Sequence, residues 1–223
     1  MQHYGRVSCG ETHRHDVQKK SLQASERSRP DVVVARKRFT RDVKHISIES
    51  LVFLDESGAR TNMTRLYGRS MCGERCHFAA PHGHWQTMTM ISALRCTGVI
   101  PEATMVFDGP TDGTVFRGYV EQCLAPALNP GDVVVMDNLA AHKVNGVAEA
   151  LHVVDADVLY LPAYSPDLNP IEKLWSKIKS WLRRAGPRQM HALVREIGNA
   201  FREVASTECT NYFASCGYAT NDR

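Results

Sequence analysis

Residues 131–138, GDVVVMDN, constrain the fold more than any other stretch. Val133, Val134, Val135 and Met136 run without interruption between Gly131–Asp132 and Asp137–Asn138. A short, uniformly apolar run rich in β-branched residues and bounded by turn formers reads as a buried strand. Residues 50–58, SLVFLDESG, have the same form, with Asp55 closing the apolar run. In open α/β sheets, sites gather beyond the carboxyl ends of the strands. A strand-end aspartate commonly just closes an Asx-turn. That is the better reading of either one alone; two of them, each after a purely apolar run, are harder to dismiss as turns.

The rest of the chain supplies the layers around such strands. Residues 61–70, TNMTRLYGRS, read as a second strand after a turn. Residues 84–100, HWQTMTMISALRCTGVI, alternate and form a third, and residues 102–109, EATMVFDG, return on it or extend the sheet edge. Val115, Tyr119, Val120 and Leu124 recur at helical spacing, with Thr111 or Asp112 available as a cap. A short helix over 143–153, a strand over 156–163, a helix from about Pro170 and another over about 187–205 complete a mixed α/β layer fold.

Charge is unevenly distributed. The net of +3 divides into +5 over residues 1–50, −6 over 51–170, +5 over 171–196 and −1 over 197–223. An acidic centre between basic flanks fits a carboxylate site that holds cations while its rims hold polyanions. Seven cysteines, an odd number without framework spacing, indicate free thiols in a reducing compartment. Neither a membrane-spanning run nor a secretory leader is expected. Cys72, Cys76, His77, His82 and His84 match no familiar zinc module. Residues 1–20 show no periodicity and read as a poorly ordered segment; residues 21–48 read as a basic helical connector with Pro30 near its start.

Residues 161–179, LPAYSPDLNPIEKLWSKIK, contain the third acid. Asn169 as N-cap, Pro170 as first helical residue and Glu172 as third form a capping box with Asn in place of Ser or Thr. Ile171, Leu174, Trp175, Ile178 and Leu182 make a core stripe. Glu172, Ser176, Lys179 and Arg183 line the adjacent stripe, which is either a phosphate-contacting edge or a solvated basic face. A cap alone does not account for the 34 residues that separate Asp137 from Glu172.

The segments FLDESG, VVVMDNLAAHK and LPAYSPDLNPIEKLWSKIK resemble, in order and with a D-D-34-E interval, the three catalytic blocks of DDE transposases, most closely the insertion-sequence-630 family related to mariner. PHGHWQTMTMISAL, MVFDGPTDGTVFRGYVEQ and NYFASCGY extend the resemblance over about residues 20–218. It implies a ribonuclease-H-like, mixed five-stranded sheet flanked by helices over residues 49–223. It implies Asp55, Asp137 and Glu172 as catalytic metal ligands, with Asn138 and His142 supporting them. A structural histidine in a strand-to-helix loop is the plainer reading of His142. Three carboxylates are hard oxygen donors suited to two Mg²⁺ or Mn²⁺ ions rather than zinc. The implied partners are DNA, at transposon ends and target, and a second protomer on DNA; the implied target is a TA dinucleotide, and the implied setting the bacterial cytoplasm. Lys173, Lys179 and Arg183, with Arg36, Lys37 and Arg38, are the expected DNA contacts. Relatives carry a helix-turn-helix region before this point, and only a short irregular segment precedes the basic helix here, so the expectation is DNA binding indifferent to sequence. Two other readings stay open: a catalytically silent DNA-binding remnant, and a ribonuclease-H-like nuclease acting on another substrate.

Overall fold

The computed structural model describes residues 25–218 apart from 72, 73, 78 and 80–82. Its first helix, α1 (Pro30–Val43), starts on Pro30, where the missing N–H costs nothing. Val32, Phe39 and Val43 are its buried residues, and Phe39 and Val43 pack into the main core. The basic connector is therefore seated on the catalytic fold through an apolar edge. The segment over residues 1–20 lies outside the described residues.

Five strands follow: β1 (Leu51–Arg60), β2 (Thr87–Arg95), β3 (Gly98–Asp108), β4 (Val133–Met136) and β5 (Asp157–Tyr160), in the sheet order β3-β2-β1-β4-β5. β1, β4 and β5 are parallel; β2 and β3 form an antiparallel hairpin on the other side of β1. This is the five-stranded mixed sheet expected from the sequence. Two expectations change. Residues 61–70 are not a strand, because β1 already pairs on both edges, with β2 and β4, and their side chains are mostly exposed. Asp55 does not end β1, which continues to Arg60 against β2; only its parallel pairing to β4 stops, at Phe53 opposite Val135. Pro101, which has no ladder donor, lies in the edge strand β3 at the register shift opposite Ile91–Ala93.

Alternation along β1 separates two cores. Leu51 and Phe53 face α4 (Ile171–Ala185), α5 (Met190–Arg202) and α6 (Ser206–Ser215), together with α1. Val52 and Leu54 face α2 (Gly113–Tyr119) and α3 (Val147–His152). Asp112 caps α2 as expected, accepting from Thr114 N–H at 2.9 Å and Val115 N–H at 2.8 Å. The buried residues of that helix are Phe116 and Tyr119, whereas Val115 is exposed. Its last turn widens into a π-helix over Val120–Leu124, which buries Val120 and Leu124. The single helix expected over 187–205 is α5 alone. A break at 203–205 separates it from α6, which absorbs part of the C-terminal aromatic segment.

Candidate active site

Strand register brings the two aspartates together. Leu51, Val52 and Phe53 pair with Val133, Val134 and Val135. Two residues further along both parallel strands lie Asp55 and Asp137, on the face that α4 covers. The first turn of α4 carries Glu172, which borders the same cleft. Asp55, Asp137, Asn138, Asn169, Glu172 and residues 161–166 line this cleft of about 300 Å³. The backbone at Tyr164 adopts φ 56°, an uncommon left-handed conformation for a non-glycine residue. Residues 161–170, unexplained by capping alone, thus form a wall of the cleft.

The capping box expected of Glu172 does not form. α4 begins at Ile171, no side chain caps it, and Glu172 N–H donates to the Asn169 carbonyl at 3.2 Å. The Asn169 side chain turns into the cleft instead, its Nδ2 3.5 Å from Asp55 Oδ2, and its buried Oδ1 has no hydrogen-bond partner. Glu172 is exposed and free to serve the cleft.

Each acid has a different electrostatic setting. Burial is the main cause that pushes Asp55 from an ordinary 3.8 up to about 7. The Glu56 N–H, donating to Oδ1 at 2.8 Å, opposes that shift, and the charges of Glu172, Asp137 and Glu56 reinforce it. Trp175 Nε1–H donates to Asp55 Oδ2 at 3.2 Å. Asp137 behaves oppositely. Desolvation works against its ionisation, but the His142 ring, the Leu139 N–H at 3.1 Å and the His142 charge prevail and hold it below the usual carboxylate range.

His142 joins two acids. Its buried ring stacks on Phe116 with centroids 4.1 Å apart. Nδ1 lies 2.7 Å from Asp137 Oδ1, and Nε2 lies 3.4 Å from Glu56 Oε2, near enough for charge attraction but not aligned as a hydrogen bond. Desolvation lowers its basicity; the two carboxylates outweigh that and raise it from 6.5 to about 9. Asn138 is exposed beside Asp137 on the cleft wall.

The basic residues divide. Lys173 is exposed, Lys179 and Arg183 are half-buried, and none of the three enters an ion pair among the described residues. Lys37 is exposed, and Arg38 lies 3.5 Å from Asp42. Arg36 is committed elsewhere: its guanidinium grips Asp167 with two hydrogen bonds, at 3.0 and 2.7 Å. Of the possible zinc ligands, Cys72 and His82 lie outside the described residues, and Cys76 is exposed.

The sequence reading missed Glu56, Trp175 and the cleft-facing role of Asn169. Only Trp175 carried a signal. A tryptophan in a core stripe needs a partner for its indole N–H, and three residues after Glu172 it faces the same way. The acids fit a hard divalent cation. Among the described residues Asp55 and Glu172 have no basic partner, the donors are all oxygen, and an amide oxygen without a hydrogen-bond partner there adjoins them. Among the described residues, no three His, Cys, Asp or Glu side chains already stand close enough to enclose an ion.

A five-stranded mixed sheet flanked by helices, with Asp55 in β1, Asp137 just beyond β4 and Glu172 on α4, has the ribonuclease-H-like arrangement. The family model described as DDE superfamily endonuclease matches residues 50–193, and the chain belongs to that family. None of the curated proteins compared with it by sequence matches. Among solved structures it is similar to the Mos1 transposase paired-end complex with left transposon end, at 18% identity and TM-score 0.71, covering 92% of this chain and 68% of that one. It is also similar to the Mos1 mariner paired-end complex with Mn, at 15% identity and TM-score 0.70 over 93% of this chain and 64% of that one. The catalytic domain of Mos1 mariner transposase aligns at 15% identity and TM-score 0.62, covering 90% of this chain and 92% of that one. The chain thus has the catalytic-domain fold of a DDE transposase and spans about two thirds of the longer Mos1 chains. No helix among the described residues is long and apolar enough to cross a membrane.

Proposed function

We propose that this chain cuts DNA at the ends of a mobile element and joins the 3′-hydroxyls to target DNA, with Asp55, Asp137 and Glu172 as its catalytic carboxylates. The observation that carries the reading is the shared cleft: strand register sets Asp55 beside Asp137, and the first turn of α4 adds Glu172. These three residues would hold divalent metal, Mg²⁺ or Mn²⁺ with two ions per site, and Mos1 paired-end complexes of like fold have been solved with Mn and with Mg. Bound there, such ions supply positive charge for activating a water or 3′-hydroxyl and for stabilising the leaving oxygen.

The protein's own residues prepare that site. His142 keeps Asp137 ionised and fixes its carboxylate by the 2.7 Å contact. Trp175 and the Glu56 N–H orient Asp55, one on each oxygen. Glu172 stays unpaired at the mouth, where its charge adds to the repulsion that a cation relieves. Bare carboxylates repel a phosphodiester, a repulsion that bound cations would offset, while the basic edge of Lys173, Lys179 and Arg183, with Lys37 on α1, would hold the flanking phosphates. A second protomer assembled on paired ends, TA as target and an insertion-sequence context complete the reading. Paired-end Mos1 complexes of like fold support the DNA partner.

The test is cleavage of a labelled transposon-end duplex in Mg²⁺ or Mn²⁺ against EDTA, with wild type, Asp137→Asn and Glu172→Gln. Metal-dependent nicking lost in both variants supports the assignment. Wild-type rates in either variant refute it. Equal cleavage of an RNA–DNA hybrid would turn the reading toward a nuclease with another substrate.

A further inference from the structure

The wall of the cleft that ends at Glu172 is held from outside the segment that matches the family model. Residues 161–170 carry a 3₁₀ turn, Pro166–Leu168, four residues before the catalytic glutamate. Asp167 on that turn accepts from Arg36 Nη1 at 3.0 Å and Nη2 at 2.7 Å, and from Arg27 Nη2 at 3.0 Å. The neighbouring Leu168 carbonyl accepts from Tyr218 Oη–H at 2.7 Å. Arg27 and Arg36 precede the matched segment 50–193, and Tyr218 follows it.

We propose that Arg36 and Asp167, backed by Arg27 and Tyr218, form a latch that positions Glu172 for catalysis. The inference rests on the proposed role of Glu172 but concerns a different part of the molecule. Its physical basis is the weakness of the local restraints. Among the described residues no side chain caps α4 and none pairs with Glu172, and Tyr164 holds an uncommon backbone conformation at the other end of the wall. A turn so placed needs an external tether to stay in one arrangement. The bidentate Arg36–Asp167 fork supplies direction as well as attraction, and Arg36 retains only 16% of its side-chain exposure. The tether is firmly based, since α1 is anchored in the core by Phe39 and Val43, and Tyr218 by its ring contact with Phe53 at 5.1 Å. Arg36 is thus a positioning residue, while Lys37 on the same helix remains free for phosphate.

Two measurements on the full chain test the latch. The first is hydrogen exchange of the peptide covering residues 161–172, which needs neither metal nor activity. Arg36→Gln and Asp167→Asn should each speed its exchange about tenfold, leaving β4 and α5 unchanged. The second is cleavage of the transposon-end duplex at saturating DNA. Each variant should lose about ten- to a hundredfold in kcat, the effect of a misplaced catalytic group, with DNA affinity unchanged. The double variant should be no worse than either single one, because both remove the same contact. Arg36→Lys should recover part of the rate.

Exchange unchanged in both variants overturns the latch. So does Arg36→Gln weakening DNA binding and lowering the log–log salt slope by about 0.9 while Asp167→Asn does nothing, since Arg36 would then be a phosphate contact. If Arg36→Gln fails to fold, Tyr218→Phe removes a single donor to the same turn. It should raise exchange in the same peptide by a smaller factor, and no rise there refutes the tether. A wild-type chain that never cleaves DNA sinks the functional reading, while the exchange result still decides the latch.

Discussion

Asp55→Asn should make the metal-free protein more stable, and by an amount that grows with pH. Burial and three neighbouring acids raise the Asp55 carboxyl from 3.8 to about 7 in the folded protein. The sign follows from linkage. Below pH 3.8 the group is protonated in both states and exerts no penalty. Between 3.8 and 7 the unfolded chain releases the proton and the folded one keeps it, so stability falls by about 1.4 kcal/mol per pH unit. Above pH 7 the loss is complete, at about 4 kcal/mol. Asparagine keeps the size and cannot ionise, but its single acceptor oxygen serves either Trp175 Nε1–H or the Glu56 N–H, and the bond lost, worth about 1 kcal/mol, keeps the gain below the full linkage value. The expected gain is negligible near pH 4 and about 2–4 kcal/mol at pH 8, which for a chain of this length moves the melting temperature by roughly 5–15 °C. Thermal denaturation in EDTA at the two pH values reads this directly. Adding Mg²⁺ or Mn²⁺ should close most of that gap. Wild type gains about 2.7 kcal/mol at a hundred times the dissociation constant, and the variant gains little. Equal melting temperatures at pH 8 without metal would show that Asp55 is neither desolvated nor repelled as described. An equal response to metal in both proteins would show that Asp55 is not a ligand.

Glu172→Gln should leave the melting temperature within about 1 °C, because no capping box depends on the carboxylate, yet remove cleavage. Parallel melting and plasmid-nicking assays check this, and an active Gln variant sinks the catalytic assignment. His142→Ala should destabilise the fold by about 2–4 kcal/mol, by opening space beside Phe116 and stranding Asp137 and Glu56. The stabilisation linked to protonated His142 is fully present below pH 6.5 and lost as pH rises to about 9, so the denaturation gap between wild type and variant should narrow over that window. Trp175→Phe should keep the edge contact with Phe201, lose the hydrogen bond to Asp55 and lower the affinity for Mn²⁺ measured by paramagnetic resonance; unchanged affinity would make the indole N–H dispensable. Replacing Lys179 and Arg183 together should flatten the salt dependence of duplex binding by about two units if both touch phosphate. A preference above about a hundredfold for a transposon end over a scrambled duplex, where specific sites usually gain at least a thousandfold, would contradict the expectation of sequence-indifferent binding.

The sequence by itself determined the buried strands, the acids that follow them and the amphipathic helix of Glu172. Each of those signals is local: an apolar run bounded by turn residues, or a stripe at helical spacing. Resemblance of the three blocks supplied their joint meaning. Local pattern could not decide what depends on pairing and on long-range contact. Residues 61–70 have a strand-compatible composition, but both edges of β1 were already taken. Asn169, Pro170 and Glu172 spell a capping box, yet the asparagine turns to Asp55 across 114 residues of sequence. Glu56 gives no sign of meeting His142, because only the sheet and the packing of Phe116 bring them together. Arg36 reads as one more surface cation until the fold sets it against Asp167, 131 residues away. Hydrophobic periodicity reports which face of an element is buried. Which charged group meets which across the fold is decided by strand register and helix packing, and those exist only once the chain has closed on itself.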